Sequence, residues 1–158
     1  MTGKEPELLL RTRLVGGLIR RVGLFTRGMT LGVRGLVVDG EDRVFLVRHT
    51  YLPGWYLPGG GVERGEDIVQ SLSRELHEEA NIAIAGEPEL FGFYAHTGRD
   101  HVALYVVRSF TQSGPKERDR EIAEAGFFAL DALPDDATRA TRARVAEFRG
   151  LAPKARRW

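Results

Sequence analysis

The chain has 158 residues, 42% hydrophobic and 28% charged, which is the composition of one globular domain of ordinary size. It has no cysteine, so disulfides, thiolate metal sites and cysteine nucleophiles are excluded, and any metal must bind oxygen or histidine nitrogen. The net charge is +1, yet residues 31–136 hold nineteen acidic and ten basic side chains between two basic ends. That distribution suits either a cation site beside a phosphate-attracting surface or an ordinary solvated surface.

The first predicted element is an amphipathic helix in an N-terminal extension, residues 1–28. Apolar residues at positions 10, 14, 15, 18, 22 and 25 recur near helical spacing, with arginines between them. Such a helix packs on the domain or forms a homodimer contact, and lying on a membrane surface is the alternative. The arginines are wrong for a secretory signal, and no apolar run reaches the ~20 residues that a membrane span needs. We therefore expect a cytoplasmic protein.

Two pairs of strands are predicted after this extension. Residues 31–38 and 43–49 are rich in valine, leucine and phenylalanine, and the sequence Asp-Gly-Glu-Asp between them is typical of a hairpin turn. Residues 90–96 and 102–110 repeat this pattern around Thr-Gly-Arg-Asp. Both pairs are therefore expected to form hairpins.

A further strand is predicted over residues 123–130 and a last helix over 136–149. Asp135 is the expected N-cap of that helix, and Gly150 stands where a helix commonly ends. Strands mixed with a few helices indicate an α/β (α+β) fold, either α+β or an α/β/α sandwich with a mixed central sheet. We assign residues 29–150 to this domain and residues 151–158 to a basic C-terminal tail.

The segment LPGGGVERGEDIVQSLSRELHEEANI, residues 57–82, stands between the two strand pairs. Pro58 and the three glycines after it predict a tight loop in which the backbone can approach a ligand closely. A helix follows, with Asp67 as its N-cap and Gln70 completing a capping box. The apolar side chains of this helix fall on one side, so we expect that side to pack on a sheet.

Three carboxylates share one face of this helix, because Glu75, Glu78 and Glu79 stand at positions i, i+3 and i+4. Their repulsion costs roughly a few tenths of a kcal/mol per exposed pair, and a divalent cation removes it. Arg74 precedes them and can fix one carboxylate by a forked hydrogen bond, and Glu66 adds a fourth acid at the junction of loop and helix. A merely solvated acidic face is the alternative for the glutamates alone; the whole pattern favours a metal site.

The residues from Gly60 to Ile82 resemble the Nudix box, G-x5-E-x7-R-E-U-x-E-E-x-G-U, in which U is a bulky aliphatic residue. Every spacing is intact, and eight of the nine defined positions agree. The departure is Asn81, where the family has a glycine that ends the helix; asparagine is the next residue most tolerant of the left-handed conformation. The order of the flanking strands is also similar, over residues 30–135. The resemblance implies a Nudix fold and hydrolysis of a phosphoanhydride bond with Mg²⁺, or alternatively Mn²⁺.

The resemblance also implies roles for individual residues. Glu75, Glu78 and Glu79 are the expected metal ligands, joined by the carbonyl group of Gly59. Glu66 either binds a second metal or holds the loop. Divalent metals in such a site neutralise the diphosphate and lower the pKa of a bound water, whose proton passes to a carboxylate.

Two further roles follow from the same resemblance. Arg74 is the expected orienting residue beside the metal ligands. In this family the general base comes from the box or from a later loop, which leaves Glu75, Glu121 and Glu124 as candidates. Glu121 lies in the charged stretch 116–124, which is expected to be a mobile loop, and an ordinary loop acid is the alternative for it.

Four side chains are candidates for binding the substrate. Arg48 ends a predicted strand, where it either reaches a phosphate or is a surface arginine. Tyr51 and Trp55 precede the glycine loop and can stack on a base, although packing under the loop is favoured for Trp55. Phe93 lies near the second turn, close to His96, in a region where specificity can reside.

The expected partner is a nucleotide-like small molecule. Nucleoside triphosphates, dinucleotides, nucleotide sugars and capped RNA ends all remain candidates. One alternative is a nucleotide sensor without turnover, against which the intact carboxylates argue; another is an RNA 5′-end pyrophosphohydrolase. The basic ends contain few aromatic residues for stacking, so no stable nucleic-acid partner is expected.

Overall fold

The computed structural model describes residues 28–158, so the helix expected before them lies outside the described residues. Neither of the two helices in the described part of the chain is long and apolar enough to cross a membrane. The elements follow one another as β1 (Thr30–Val37), β2 (Arg43–His49), α1 (Ile68–Ala80), β3 (Ile82–Ile84), β4 (Glu89–Ala95), β5 (Asp100–Val107), β6 (Phe110–Gln112), β7 (Ile122–Ala129) and α2 (Arg139–Phe148).

The larger strands form a mixed layer around β1. Strand β1 is parallel to β5, and β4 is antiparallel to β5 on its far side. The other edge of β1 pairs with the glycine-rich loop, where the N–H of Gly35 donates to the carbonyl of Pro58 at 2.9 Å. The same segment bridges to β2 between Tyr56 and Val47, and β2 is antiparallel to β7. The loop therefore joins the two halves of the sheet.

The two helices cover opposite faces of this layer, which confirms the predicted α/β/α sandwich. Alternation along β1 sends Val33 and Val37 to one face, where they share a core with Leu72 and Leu76 of α1. Leu36 belongs to a second core on the other face, beside Val145 of α2. Because both faces are covered, β1 is apolar on both sides, as buried parallel strands usually are.

The predicted pairing of the first two strands is wrong. Both strands and the turn between them form where expected, but they share only one isolated bridge, Val38 with Val44. Asp39 stabilises the turn by accepting hydrogen bonds from the N–H groups of Glu41 and Arg43, each at 3.0 Å. Beyond the turn the strands separate, because β5 and the glycine-rich loop occupy the two hydrogen-bonding edges of β1. The second predicted hairpin, β4 with β5, is confirmed.

Helix α2 begins later than predicted, and its N-cap is Thr138 instead of Asp135. The preceding residues are held extended, since Trp55 and Ala137 form a parallel bridge. The Thr138 hydroxyl accepts from the N–H of Thr141 at 3.2 Å, as an N-cap does. The predicted end is confirmed, with Gly150 at φ +72° after the last turn.

Residues 151–158, expected to be a basic tail, pack against β4 and α2. The N–H of Ala95 donates to the carbonyl of Arg156, and the N–H of Trp158 donates to the carbonyl of Ala95, both at 3.0 Å. The segment thus lies alongside the end of β4.

Candidate active site

The capping residues of α1 fix where its carboxylates lie. Asp67 is the N-cap, and its side chain and that of Gln70 form the predicted capping box. Asn81 ends the helix at φ +55°, with its N–H donating to carbonyls of the last turn. Its side-chain amide also donates to the carbonyl of Pro115 at 3.1 Å. Asparagine therefore performs the helix-ending role expected at this position of the box.

Two glycines let the loop pass close to β1 and α1. Gly59 has φ +134°, and a Cβ atom there would overlap the backbone carbonyl of Val33. A Cβ atom on Gly60 would overlap the carboxylate of Glu75. The loop thus lies between strand and helix at a distance that only glycine permits.

Glu79 is the buried acid of the site, with 6% of its surface exposed. Its Oε2 accepts a hydrogen bond from the N–H of Gly59 at 2.8 Å, which ties the loop to α1. Burial raises the pKa of Glu79 to about 7, and the negative charges of Glu75 and Glu121 act in the same direction. The Gly59 N–H and the Arg34 guanidinium oppose that shift. The site therefore carries negative charge that a nearby cation would stabilise.

Arg74 organises the other carboxylates. Its Nε donates to Glu66 Oε1 at 2.8 Å, and its Nη1 donates to Glu75 Oε1 at 2.8 Å and to Glu78 Oε2 at 3.5 Å. Its Nη2 also donates to the carbonyl of Gly61 at 3.2 Å. These contacts match the orienting role expected for Arg74, because one planar fork links the loop to two helix carboxylates.

Glu66 is held by hydrogen bonds on both carboxylate oxygens. Besides Arg74 it accepts from the Ser71 hydroxyl and from the N–H of Glu63, the latter at 3.2 Å. Arg74 and Ser71 lower the pKa of Glu66 to about 2. Of the two roles expected for Glu66, these contacts support holding the loop.

The carbonyl of Gly59, which the resemblance gives as a metal ligand, contacts an arginine side chain. It accepts a hydrogen bond from Arg34 Nη1, which also donates to the carbonyl of Leu57 at 3.1 Å. The N–H of Gly59, instead of its carbonyl, faces Glu79. The positively charged group at this carbonyl is therefore the guanidinium of Arg34.

Arg34 was not identified from the sequence, although a signal existed. It is the single charged residue in the apolar run 31–38. Burial lowers the pKa of the Arg34 guanidinium, whereas Glu79 and Glu75 raise it. A positive charge in a core strand needs negatively charged partners to offset its burial, and Glu79 and Glu75 are those partners. Arg34 is therefore part of the charge arrangement of the site.

His49 is a second residue that the sequence did not reveal. It is 8% exposed at the end of β2, and its Nε2 lies 3.9 Å from Glu79 Oε1, beyond hydrogen-bonding distance. Burial lowers the pKa of His49, with Arg34 acting in the same direction. The ring is flanked by Tyr51 and Tyr56, at centroid distances of 5.3 and 5.4 Å. The imidazole thus forms one wall beside Glu79.

Glu121 faces the same carboxylates across a cavity. Glu78, Glu79, Asp119 and Glu121 are among the residues that line this space of about 430 Å³. The loop that carries Glu121 is anchored: Asp119 accepts from the N–H of Glu121 at 2.8 Å, and the carbonyl of Glu121 accepts from the N–H of Thr50 at 2.8 Å. The expected mobile loop is therefore an ordered turn fixed to the end of β2.

The residues expected to bind substrate are not gathered at one point. Trp55 is 6% exposed and packs edge-on against Phe128, so it belongs to the core and cannot serve as a base-stacking surface. Arg48 lies over the Trp55 ring and pairs with Asp136 at 2.7 Å, which makes it a structural link to the start of α2.

Tyr51 and Phe93 are both accessible but lie apart. Tyr51 is 66% exposed and stands beside His49 at the carboxylate site. Phe93 is 54% exposed on β4, where its ring stacks on His101 at 5.5 Å. Strand alternation puts Phe93 on the face opposite to Tyr94, which is buried in the core beneath α2.

The donor set of the site fits a hard divalent cation, since it consists of carboxylate oxygens with excess negative charge around Glu79. In the arrangement found for residues 28–158, no three acidic or histidine side chains converge on one point. Arg74 instead pairs with Glu75 and Glu78. Glu75, Glu78 and Glu79 are the residues that would hold the metal.

The sequence is similar to that of known proteins. The NUDIX domain family model matches residues 28–148. An RNA pyrophosphohydrolase of Legionella pneumophila is 38% identical over 65 residues, which are 41% of this chain and 37% of that protein. A MutT-like protein of Streptomyces ambofaciens is 30% identical over 106 residues, covering 67% of this chain and 68% of that protein.

A solved structure has the same fold. The MutT NUDIX hydrolase from Burkholderia pseudomallei aligns with a TM-score of 0.65 at 27% identity, covering 73% of this chain and 95% of that one. By contrast, the chain spans little more than a third of the length of the Legionella relative.

Proposed function

The chain belongs to the Nudix family, and from this premise we propose that it is a metal-dependent pyrophosphohydrolase that cleaves a phosphoanhydride bond in a nucleoside diphosphate linked to another group. The observation that carries the proposal is the buried carboxylate of Glu79, tied to the glycine loop and surrounded by Glu75, Glu78 and Glu121. Such a site concentrates negative charge where a cation and a diphosphate would meet.

Mg²⁺ is the proposed metal, with Mn²⁺ as its substitute, because the donors are carboxylates. When bound, such a metal neutralises phosphate charge and lowers the pKa of a coordinated water. Glu75, Glu78 and Glu79 would hold it. Arg74, which donates to Glu75 and Glu78, would orient these two carboxylates beside the metal position.

The reaction needs one water and one carboxylate base. The water oxygen forms a bond to one phosphorus as the bridging oxygen leaves on the other phosphate, and the water proton passes to the base. We assign the base to Glu121 rather than Glu75. Glu75 lies 2.8 Å from Arg74 and against Gly60, whereas Glu121 is exposed at the cavity and forms no ion pair within residues 28–158.

The substrate is a nucleotide-like small molecule in this proposal. The Legionella relative, whose name specifies RNA, supports RNA 5′ ends as a second candidate. A sensor without turnover is the third, and the retained carboxylates weigh against it.

A substrate panel tests the proposal. Nucleoside triphosphates, dinucleotides, nucleotide sugars and 5′-triphosphorylated RNA are incubated with Mg²⁺ or Mn²⁺, and phosphate is measured after a coupling phosphatase. We expect turnover of at least one class, lost when the metal is chelated. Tight nucleotide binding without product from any class would favour the sensor, and turnover of RNA alone would favour the second candidate.

A further inference from the structure

The segment that carries Trp158 is docked on α2 and β4 by a buried ion pair. Arg144, 2% exposed, donates from Nη2 to Glu147 Oε1 at 2.7 Å and from Nη1 to the carbonyl of Arg157 at 3.0 Å. Glu147 Oε1 also accepts from the N–H of Ala155 at 2.9 Å. The pair therefore also binds the backbone of residues 155–157, while Arg144 Nε is buried without a hydrogen-bond partner among residues 28–158.

Aromatic contacts complete this arrangement. Glu147 Oε2 accepts from the Tyr94 hydroxyl at 2.9 Å, and the Tyr94 ring meets Trp158 edge-on at 5.6 Å. The Arg144 guanidinium lies over both rings, at 4.1 Å from the Tyr94 centroid and 5.4 Å from that of Trp158. Burying two charges is costly unless hydrogen bonds offset the cost, and a buried hydrogen-bonded pair favours one position for the groups that it contacts. Trp158 is therefore held in a defined place.

Trp158 forms part of the wall of a second cavity, which lies beside the active site. The cavity has a volume of about 360 Å³, within the range of small-molecule sites. It is lined by two aromatic residues, three residues with basic side chains and several polar or small ones, among them Arg34, Tyr56, His96, Thr138, Arg139 and Trp158. Aromatic faces with basic groups suit a planar ring that is attached to a phosphate.

Arg34 connects this cavity to the carboxylates. Its side chain lines the cavity and also donates to the carbonyls of Leu57 and Gly59, and the latter residue contacts Glu79 through its N–H. A ligand in the cavity would thus have its phosphate end next to the glycine loop that contacts Glu79.

We propose that Trp158 is a specificity-determining residue that forms one wall of a pocket for the nucleoside part of the substrate, and that Arg144 and Glu147 are the residues that position it. This inference rests on the proposed function for the identity of the substrate. The pocket takes a nucleoside 5′-monophosphate unit, with the base beside Trp158 and Tyr56 and the phosphate toward Arg34.

Binding of nucleoside monophosphates tests the proposal without turnover. AMP, GMP, CMP and UMP are titrated by calorimetry into the full-length protein and into the variants Trp158→Ala, Trp158→Phe and Leu151→Ala. Leu151 is the control, because it is an exposed apolar residue of the same segment. For the nucleotide that binds best, Trp158→Ala should weaken binding about tenfold, the loss of one stacked aromatic, whereas Trp158→Phe should retain most of the affinity. Equal affinity of Trp158→Ala and wild type, or no measurable binding of any nucleotide to the wild type, would overturn the pocket.

The positioning pair is tested by a neutral replacement, since removing one charge alone would leave the other buried and destabilise the fold. Arg144→Met combined with Glu147→Gln should weaken binding of the same nucleotide several-fold while inorganic phosphate binds as in the wild type. Unchanged nucleotide affinity in a folded double variant would show that Arg144 and Glu147 do not position Trp158 for binding. In turnover, Trp158→Ala should raise KM more than it lowers kcat.

Failure of the pocket and failure of the proposed hydrolysis are distinguishable. Turnover with no contrast between Trp158→Ala and Trp158→Phe in binding would overturn the pocket alone. The binding contrast without turnover of any substrate would overturn the hydrolase assignment alone.

Discussion

The backbone N–H of Gly59 donates to Glu79 Oε2 at 2.8 Å, across the boundary between the glycine-rich loop and helix α1. This bond ties the residue directly before the Nudix box to the helix that carries the glutamates of the box. The spacing of the residues in the sequence does not reveal this contact. Because Glu79 is buried, the bond also fixes the acid whose protonation is most sensitive to its surroundings.

The pH dependence of stability should report on Glu79. Burial raises the pKa of Glu79 in the metal-free folded protein to about 7, against 4.5 for an unperturbed glutamate, so the folded state binds the proton more tightly than the unfolded chain. Its stabilising contribution is therefore complete below pH 4.5 and is lost as the pH rises through 7. The loss should amount to at most about 3 kcal/mol.

Urea unfolding in the presence of a chelator, between about pH 4.5 and pH 8, measures this effect. The contributions of Glu66 and Asp119, whose folded-state pKa is lowered to about 2, are common to wild type and variant and cancel in the comparison. The wild type should lose stability relative to Glu79→Gln as the pH rises, because the glutamine stays neutral, while Glu87→Gln, an exposed control, follows the wild type. A difference that is independent of pH would show that Glu79 has an ordinary pKa.

Gly60 and Gly61 should differ sharply in their tolerance of alanine. A Cβ atom on Gly60 overlaps the Glu75 carboxylate, whereas a Cβ atom on Gly61 meets no atom within 4 Å. Gly60→Ala should therefore displace Glu75 and lower kcat/KM by about tenfold or more, since small misplacements of catalytic groups are costly. Gly61→Ala should have a much smaller effect. Equal activity of the two variants would contradict the close approach of loop and helix.

The assignment of the base predicts distinct pH–rate profiles. Glu121→Gln should lower kcat by roughly 10²- to 10⁴-fold and remove the acidic limb of the profile. Glu75→Gln should instead weaken metal affinity and keep that limb. Glu124→Gln is the control, as an exposed acid three residues further along that pairs weakly with Arg48. If Glu121→Gln retains near-normal kcat and Glu75→Gln loses the acidic limb, the base is Glu75.

The helix of the Nudix box was predictable because its signals are local. Asp67 with Gln70, and Asn81 in the left-handed region, set its ends through contacts within one turn. The layer arrangement was also predictable, since apolar strands and a one-sided helix require it.

Partners distant in sequence were not predictable. The pattern of apolar residues in β1 and β2 is compatible with several strand pairings. One hydrogen-bonding edge of β1 is occupied by the glycine-rich loop, whose sequence does not predict a strand. The role of Arg34 depends on carbonyls more than twenty residues away. The docking of Trp158 depends on Arg144, which looks like a solvated helix arginine in the sequence but is buried.

The rate of metal-dependent phosphoanhydride cleavage by Glu79→Gln, compared with wild type and Glu87→Gln, tests the central claim most directly. It is measured with the best substrate of the panel at saturating Mg²⁺. Removing one charged metal-binding oxygen should lower kcat by about 10²-fold or more, whereas Glu87→Gln should retain wild-type activity. Cleavage by Glu79→Gln at the wild-type rate would show that the carboxylate site of the box does not carry the chemistry.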